Sequence, residues 1–259
     1  MSNLYAGAGL GDLIVGAILR HADKPAIADE RTRWTYRELG AAIGGMMTFF
    51  QGLGLNKGDA LSVLSGNRVE SWAVVCAAAI MGLRYTPLHP LAAEDDHAFI
   101  VDDAEIDALV VESGKFAARG LAIRARAPRL QHLLSFGPVE GARDLLAELP
   151  ACEIAPLRAD SSESDICWLA YTGGTTGTSK GVMLSHRALT TMTATLYADW
   201  DWPADIRFLA ATPISHAAGA TVFPVMYRGG FTRLLPGFEM ESYCRTIQDE
   251  KITCAFLVP

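Results

Sequence analysis

Long hydrophobic runs are missing from this chain of 259 residues: the longest, residues 72–83, is about half of what spans a bilayer. No basic region opens the N-terminus, and Asp12 interrupts its first apolar stretch, so it does not read as a signal peptide. Ala6-Gly7-Ala8 has the small-x-small form of a cleavage site, but it precedes any apolar core. Basic charge is also scarce. Lys and Arg number 22 against 29 Asp and Glu, a formal charge of −7, and with no basic stripe a nucleic-acid partner is set aside. The five cysteines (76, 152, 167, 244 and 254) form no CxxC pair, and the six histidines show no HExxH and no ligand spacing with cysteine. A structural zinc site is therefore not expected. Most cysteines stand in apolar surroundings, such as Val75-Cys76-Ala77 and Ile166-Cys167-Trp168, and read as buried free thiols of a reducing compartment. The expectation is a cytoplasmic protein with no transmembrane segment.

What is present is a globular composition, half hydrophobic and a fifth charged, long enough for one large domain or two small ones. Helical spacing predicts helices over residues 10–19, 39–53, 70–81, 93–102, 115–126, 186–199, 217–227 and 239–249. Thr35 and Glu38 form a capping box for the second, while Gly54 and Gly82 stand where helices stop. Strands are expected at 25–28, 61–64, 84–88, 107–111, 166–170, 182–184, 208–211, 231–235 and 252–258. Residues 141–149 read as a short helix, and 159–165 as a polar surface connection. Strand–helix alternation at this rhythm implies an α/β fold, with parallel sheets flanked by helices on both faces. The connection suggests two α/β subdomains, 1–165 and 166–259. The final apolar strand has nothing after it, so the second subdomain is expected to be incomplete and the chain truncated. A cut sheet exposes apolar surface, which favours self-association as a homodimer.

One stretch concentrates chemistry: Tyr171-Thr172-Gly173-Gly174-Thr175-Thr176-Gly177-Thr178-Ser179-Lys180-Gly181. Glycines let backbone amides approach a ligand, hydroxyls add donors, and lysine adds a mobile positive charge, a combination suited to a polyphosphate. It is not a Walker loop. Counting from Gly174, Ser179 replaces the second glycine and Gly181 the hydroxyl. Gly177-Thr178-Ser179-Lys180-Gly181 does match G-x-S-x-G, with Asp199 to Asp205 and His216 downstream in the order of a hydrolase triad. That reading requires a strand directly before Ser179 and a helix directly after it. Here turn-prone residues precede and a strand-like run follows. A glycine-rich surface turn without a ligand is the plain alternative.

Residues 171–182 also resemble the signature of the adenylate-forming enzymes: the acyl-CoA synthetases, luciferases and peptide-synthetase adenylation domains. Gly173 stands where serine is frequent and Ser179 where proline is frequent, both tolerated in that family. The likeness covers nearly the whole chain. Trp34-Thr35-Tyr36-Arg37-Glu38-Leu39 is similar to the family's T-Y-x-E-L, and Gly54-Leu55-Asn56-Lys57-Gly58-Asp59 to its G-x-x-K-G-D turn. Gly82-Leu83-Arg84-Tyr85-Thr86-Pro87-Leu88-His89-Pro90 resembles its G-A-x-x-x-P-L-x-P segment, and Pro213-Ile214-Ser215-His216-Ala217-Ala218-Gly219 its P-x-x-H-x-x-G loop. Residues 252–259 resemble the family's V-P strand.

The resemblance implies an acid–thiol ligase. A carboxylate attacks the α-phosphorus of ATP, giving acyl-adenylate and pyrophosphate, and coenzyme A then displaces AMP. It assigns Thr172, Gly173, Gly174, Thr175, Thr176, Gly177, Thr178, Ser179 and Lys180 to the phosphates, with Mg²⁺ shared by Thr175 and Thr176. Lys180 would follow the leaving pyrophosphate, and His216 would line the pocket of the carboxylic acid. Peptide-synthetase domains carry an Asp beside that histidine for an amine, and Ser215-His216 has none, which favours an acyl or aryl acid. Ser185 and His186 read instead as a helix cap. The family's Y-G-x-T-E, T-G-D and C-terminal lysine have no counterpart in these 259 residues, so the chain alone is expected to be inactive. A non-catalytic nucleotide-binding piece is the competing reading.

Overall fold

The computed structural model describes residues 7–149, 157–172 and 179–257. In chain order its elements are α1 (Leu10–Arg20), β1 (Pro25–Ala28), β2 (Arg33–Thr35), α2 (Tyr36–Gly52), β3 (Ala60–Leu64), α3 (Val69–Met81) and β4 (Arg84–Pro87). Then come α4 (Glu94–Asp103), β5 (Ala108–Glu112), α5 (Ser113–Arg126), β6 (His132–Phe136), β7 (Arg143–Asp144) and α6 (Leu145–Glu148). The last stretch holds β8 (Ile166–Thr172), β9 (Lys180–Ser185), α7 (His186–Asp199), β10 (Arg207–Ala210), α8 (Ala217–Tyr227), β11 (Phe231–Leu234), α9 (Met240–Asp249) and β12 (Cys254–Phe256).

Side-chain alternation sorts these elements into layers. Along β5, Ala108 and Val110 join one core while Leu109 and Val111 join another on the opposite face. A strand apolar on both faces must be covered on both, which is why it reads as a continuous hydrophobic run. Leu64, Leu109, Val111 and Leu133 pack outward under α4 and α5, against Ile100, Phe116 and Ile123. The inner core holds α1, α2, α3 and α8 together with residues of both sheets, among them Leu61, Val110, Ile27 and Phe208. On the far side, Leu209, Ala211 and Leu235 face Tyr243 and Ile247 of α9. The order is therefore helix, sheet, helix, sheet, helix.

Helix α3 lies at the centre, buried at every position except Glu70. Trp72 there packs on Phe223 of α8 at 5.0 Å, and Trp168 of β8 packs on the same ring at 5.9 Å. Gly82 ends α3 in the left-handed region, φ +72°, where a side chain would be strained. At the start of α2, Thr35 and Glu38 form the reciprocal capping pair that the sequence predicts.

Seven strands form the first sheet in the order β7-β6-β5-β3-β4-β8-β9, parallel except for the β8–β9 hairpin. The second has the order β12-β10-β11-β1-β2, parallel except for β1–β2. The sheets do not divide at residue 165. Strands β1 and β2 lie with β10, β11 and β12, while β8 and β9 complete the first sheet.

Several expectations need correction. Strand β6 is absent from the sequence reading, although Pro128 before it and Gly137-Pro138 after it are turn signals that bracket a short apolar run. Residues 141–149 are not one helix: Gly141 has φ +83°, and Asp144 caps a single turn through the Leu146 and Ala147 amides. Helix α9 buries no residue, with Met240 at 62% exposure; Tyr243 and Ile247 are only half-buried against Leu209, Ala211 and Leu235. Strand β12 is shorter than expected and not buried, and among the described residues it pairs with β10 alone. Val258 of the expected strand lies outside the described residues. Cys76 and Cys167 are buried thiols, but Cys244 is exposed and Cys254 half-buried. Cys152 lies outside the described residues.

Candidate active site

The signature stretch is built on the β8–β9 hairpin. Thr172 pairs with Lys180 and Tyr171 with Gly181, so the loop between them leaves one closed antiparallel stem. Gly173, Gly174, Thr175, Thr176, Gly177 and Thr178 lie outside the described residues, and with them both proposed Mg²⁺ hydroxyls. At the stem, Thr172 and Lys180 are exposed and Ser179 is half-buried. Thr172 Oγ1 donates to the Lys180 carbonyl at 3.5 Å. Lys180 forms no ion pair among the described residues.

Tyr171 anchors the stem. Its phenol donates to an Asp103 carboxylate oxygen at the end of α4, and its ring meets Phe99 edge-on at 6.3 Å. Burial first, then the Asp103 hydrogen bond, pushes the phenol well above its ordinary range. The cross-strand glycine follows from this packing. A Cβ at Gly181 would stand 2.9 Å from Leu169 Cδ1 and 3.3 Å from Tyr171 Cζ.

The second cluster forms where loops leave the C-terminal ends of β3, β4 and β10, the usual place for a ligand in parallel α/β sheets. Asn67, just after β3, ties the His216 loop down from both ends of its amide. Its Nδ2 donates to the Thr212 and Leu235 carbonyls at 2.9 Å each, and its Oδ1 accepts from Ile214 N–H at 2.9 Å. His216 then caps α8, with Nδ1 2.9 Å from Ser215 Oγ and its ring 4.7 Å from that of His89 at 73°. Burial first, and the neighbouring His89, lower the His216 imidazole to about 4. It is neutral at pH 7. Gly219 is required by the turn: a Cβ there would lie 1.9 Å from the Ile214 carbonyl oxygen.

The structure therefore brings the 82–90 and 213–219 segments together, while among the described residues the hairpin makes no hydrogen bond to the His216 loop. The hydrolase reading is overturned. Strand β9 begins at Lys180, directly after Ser179, and the next helix only at His186, so no strand–serine–helix elbow exists. The His216 Nδ1 partner is Ser215, not Ser179. Ser185 caps α7 by accepting from Ala188 N–H at 3.2 Å, but His186 is no cap. Its ring is fully buried, with neither nitrogen partnered among the described residues, and burial lowers its pKa. Asn67, His89 and Asp103 escaped the sequence reading as site residues. Only His89 had a signal, its place in the Pro87-Leu88-His89-Pro90 segment.

No group of three or more His, Cys, Asp or Glu able to hold a metal occurs among the described residues.

Two mostly parallel sheets, with site loops gathered at their strand ends, define an α/β enzyme scaffold. The chain belongs to the AMP-binding enzyme family, whose model matches residues 17–259. It is 38% identical over 256 residues to the medium/long-chain-fatty-acid–CoA ligase FadD8 of Mycobacterium tuberculosis, covering 96% of this chain and 45% of that protein. It is 27% identical to 2,3-dihydroxybenzoate-AMP ligase of Bacillus subtilis, covering 98% of this chain and 48% of the relative. The fold superposes on the N-terminal domain of FACL13 from Mycobacterium tuberculosis with a TM-score of 0.90 at 22% identity, over 98% of this chain and 63% of that one. The chain spans about half the length of the curated relatives it matches.

Proposed function

We propose that this chain is the N-terminal part of an ATP-dependent acyl- or aryl-CoA ligase, with a fatty acid as the first candidate substrate. The fatty acid is suggested by the FadD8 relative and its 38% identity. The aryl alternative comes from the more distant 2,3-dihydroxybenzoate-AMP ligase. The observation that carries the reading is a single pair of features. An exposed lysine with no ionic partner among the described residues, Lys180, stands beside the signature loop, and a neutral imidazole, His216, stands in the loop after β10.

In the first half-reaction one carboxylate oxygen of the acid forms a bond to the α-phosphorus of ATP. The bond from that phosphorus to the bridging oxygen breaks, and pyrophosphate leaves with the electron pair. Both reactants are anions, so the protein's part is positioning and charge neutralisation. Lys180 meets the charge that builds on pyrophosphate. Backbone amides and the Thr172, Thr175 and Thr176 hydroxyls donate to phosphate oxygens. Mg²⁺, when bound with the nucleotide, supplies further neutralisation of those oxygens. His216, kept neutral by burial, offers an N–H to the acid without placing a second ion in the pocket. In the second half-reaction the coenzyme A thiolate attacks the acyl carbon and AMP leaves.

The test is acid-dependent ATP–pyrophosphate exchange by the full-length protein across a panel of fatty and aromatic acids. Lys180→Ala is expected to lower exchange roughly a hundredfold, the scale of losing one preorganised charge contact. Because Lys180 is exposed, the variant should melt like the parent. Parental exchange in that variant would remove Lys180 from the site. The 259-residue chain by itself is expected to bind nucleotide at most. Exchange by it would overturn that part of the reading.

A further inference from the structure

We propose that His89 is a positioning residue for His216, an imidazole clamped from behind so that its ring fixes the orientation of the histidine facing the acid. The proposal rests on the ligase reading for its catalytic consequence, but its physical core is independent of that reading.

His89 leaves β4 in a loop that is tied at several points. The Leu91 amide donates to His89 Nδ1 at 3.2 Å, and a backbone amide can only donate. Nδ1 is therefore the acceptor, and a neutral His89 carries its proton on Nε2. The His89 carbonyl accepts from the Ala92 amide at 3.0 Å and from His97 Nε2 at 2.8 Å. His97, on the first turn of α4, is fully buried, and its Nδ1 has no partner among the described residues. A buried polar ring satisfied at one nitrogen only is a costly arrangement, and here its single bond goes to the backbone of His89. Arg119 of α5 closes the loop from the other side, donating to the Ala92 carbonyl at 2.9 Å.

Among the described residues the His216 ring has one hydrogen-bond partner, Ser215, and it meets the His89 ring at 4.7 Å. No carboxylate lies in ion-pair range of either ring among the described residues. The charged groups that act on the cluster are Asp96 and Arg119, and both act on His97. Two imidazoles in contact without an acid favour the state in which both are neutral, and each is lowered by burial. The clamp thus holds His216 by shape and discourages its protonation. Three of the six histidines meet here in turn, His216 against His89 and His97 on the His89 carbonyl, although His89 and His216 lie 127 positions apart.

The test uses NMR titration of the His216 ring in this chain, alongside exchange kinetics in the full-length protein. The variants are His89→Ala and His89→Phe, the second keeping a ring but no nitrogen. In the parent, His216 should titrate near 4, and in His89→Ala it should move toward 6.5. Full-length His89→Ala should raise KM for the acid roughly tenfold with kcat changed little, the pattern of lost uniform binding. His89→Phe should restore both readouts. Parental titration and KM in the alanine variant would overturn the proposal, as would failure of phenylalanine to restore them. If the parent shows no exchange with any acid, the ligase reading fails while the titration still decides the clamp.

Discussion

At the residue scale, the site is made of groups whose neighbours were chosen for shape before charge. Gly219 is the sharpest case: no other residue fits a position 1.9 Å from a carbonyl oxygen. Gly219→Ala must push the Ile214 turn away and is expected to cost about 1–3 kcal/mol, the range for overpacking. Chemical denaturation of the two proteins measures it directly. The histidines make a second prediction. His89, His97, His186 and His216 are all lowered by burial, so the unfolded chain binds more protons than the folded one once pH drops below their ordinary value of 6.5. The stability they supply is complete above about 6.5 and is lost as pH falls toward about 4, the value of His216. A denaturation midpoint that holds steady from pH 7 to pH 4.5 would contradict this.

At the element scale, the helices obey local rules and the hairpin does not. The Thr35–Glu38 box closes with Glu38 N–H donating to Thr35 Oγ1 at 3.2 Å and the Thr35 amide donating to Glu38 Oε2 at 2.7 Å. Thr35→Ala should therefore cost about 1 kcal/mol with no change in fold, read from the thermal midpoint. These caps were legible because both partners lie within one turn. So were the stops at Gly54 and Gly82, each with a positive φ. By contrast, the Asp103 partner of Tyr171 lies 68 positions away and left no local trace. Asn67 was equally silent, its partners being 145 to 168 positions off. The glycines and hydroxyls of the signature were plain in the sequence, and so was His216 by resemblance. The clamp behind His216 was not, since a lone histidine in a loop gives no hint of which ring it will meet.

At the scale of the molecule, one inner core serves both sheets. Trp72 is fully buried in it and touches Phe223, which also meets Trp168 of the other layer. Trp72→Ala is expected to cost about 3–5 kcal/mol and to weaken the two sheets together. Tryptophan fluorescence and far-UV circular dichroism should then give one coincident transition in parent and variant alike, at a lower midpoint in the variant. Separate transitions would mean that the sheets fold as independent units. The layered architecture also explains why the linear division at 165 does not coincide with the sheets. Ile27 pairs with Thr232, and Tyr85 with Trp168, so each sheet draws strands from both sides of that point.

Alternation of apolar and polar residues, caps, stops and the glycine–hydroxyl–lysine stretch are short-range matters. They were settled along the chain, because the groups concerned lie within a turn or a strand of one another. Strand neighbours, the interleaving of two sheets and the meeting of His89, His97 and His216 came only with the tertiary structure. Several strands are apolar on both faces and equally able to pair, and no local pattern tells one such edge from another. What selects among them is the packing of whole layers around α3.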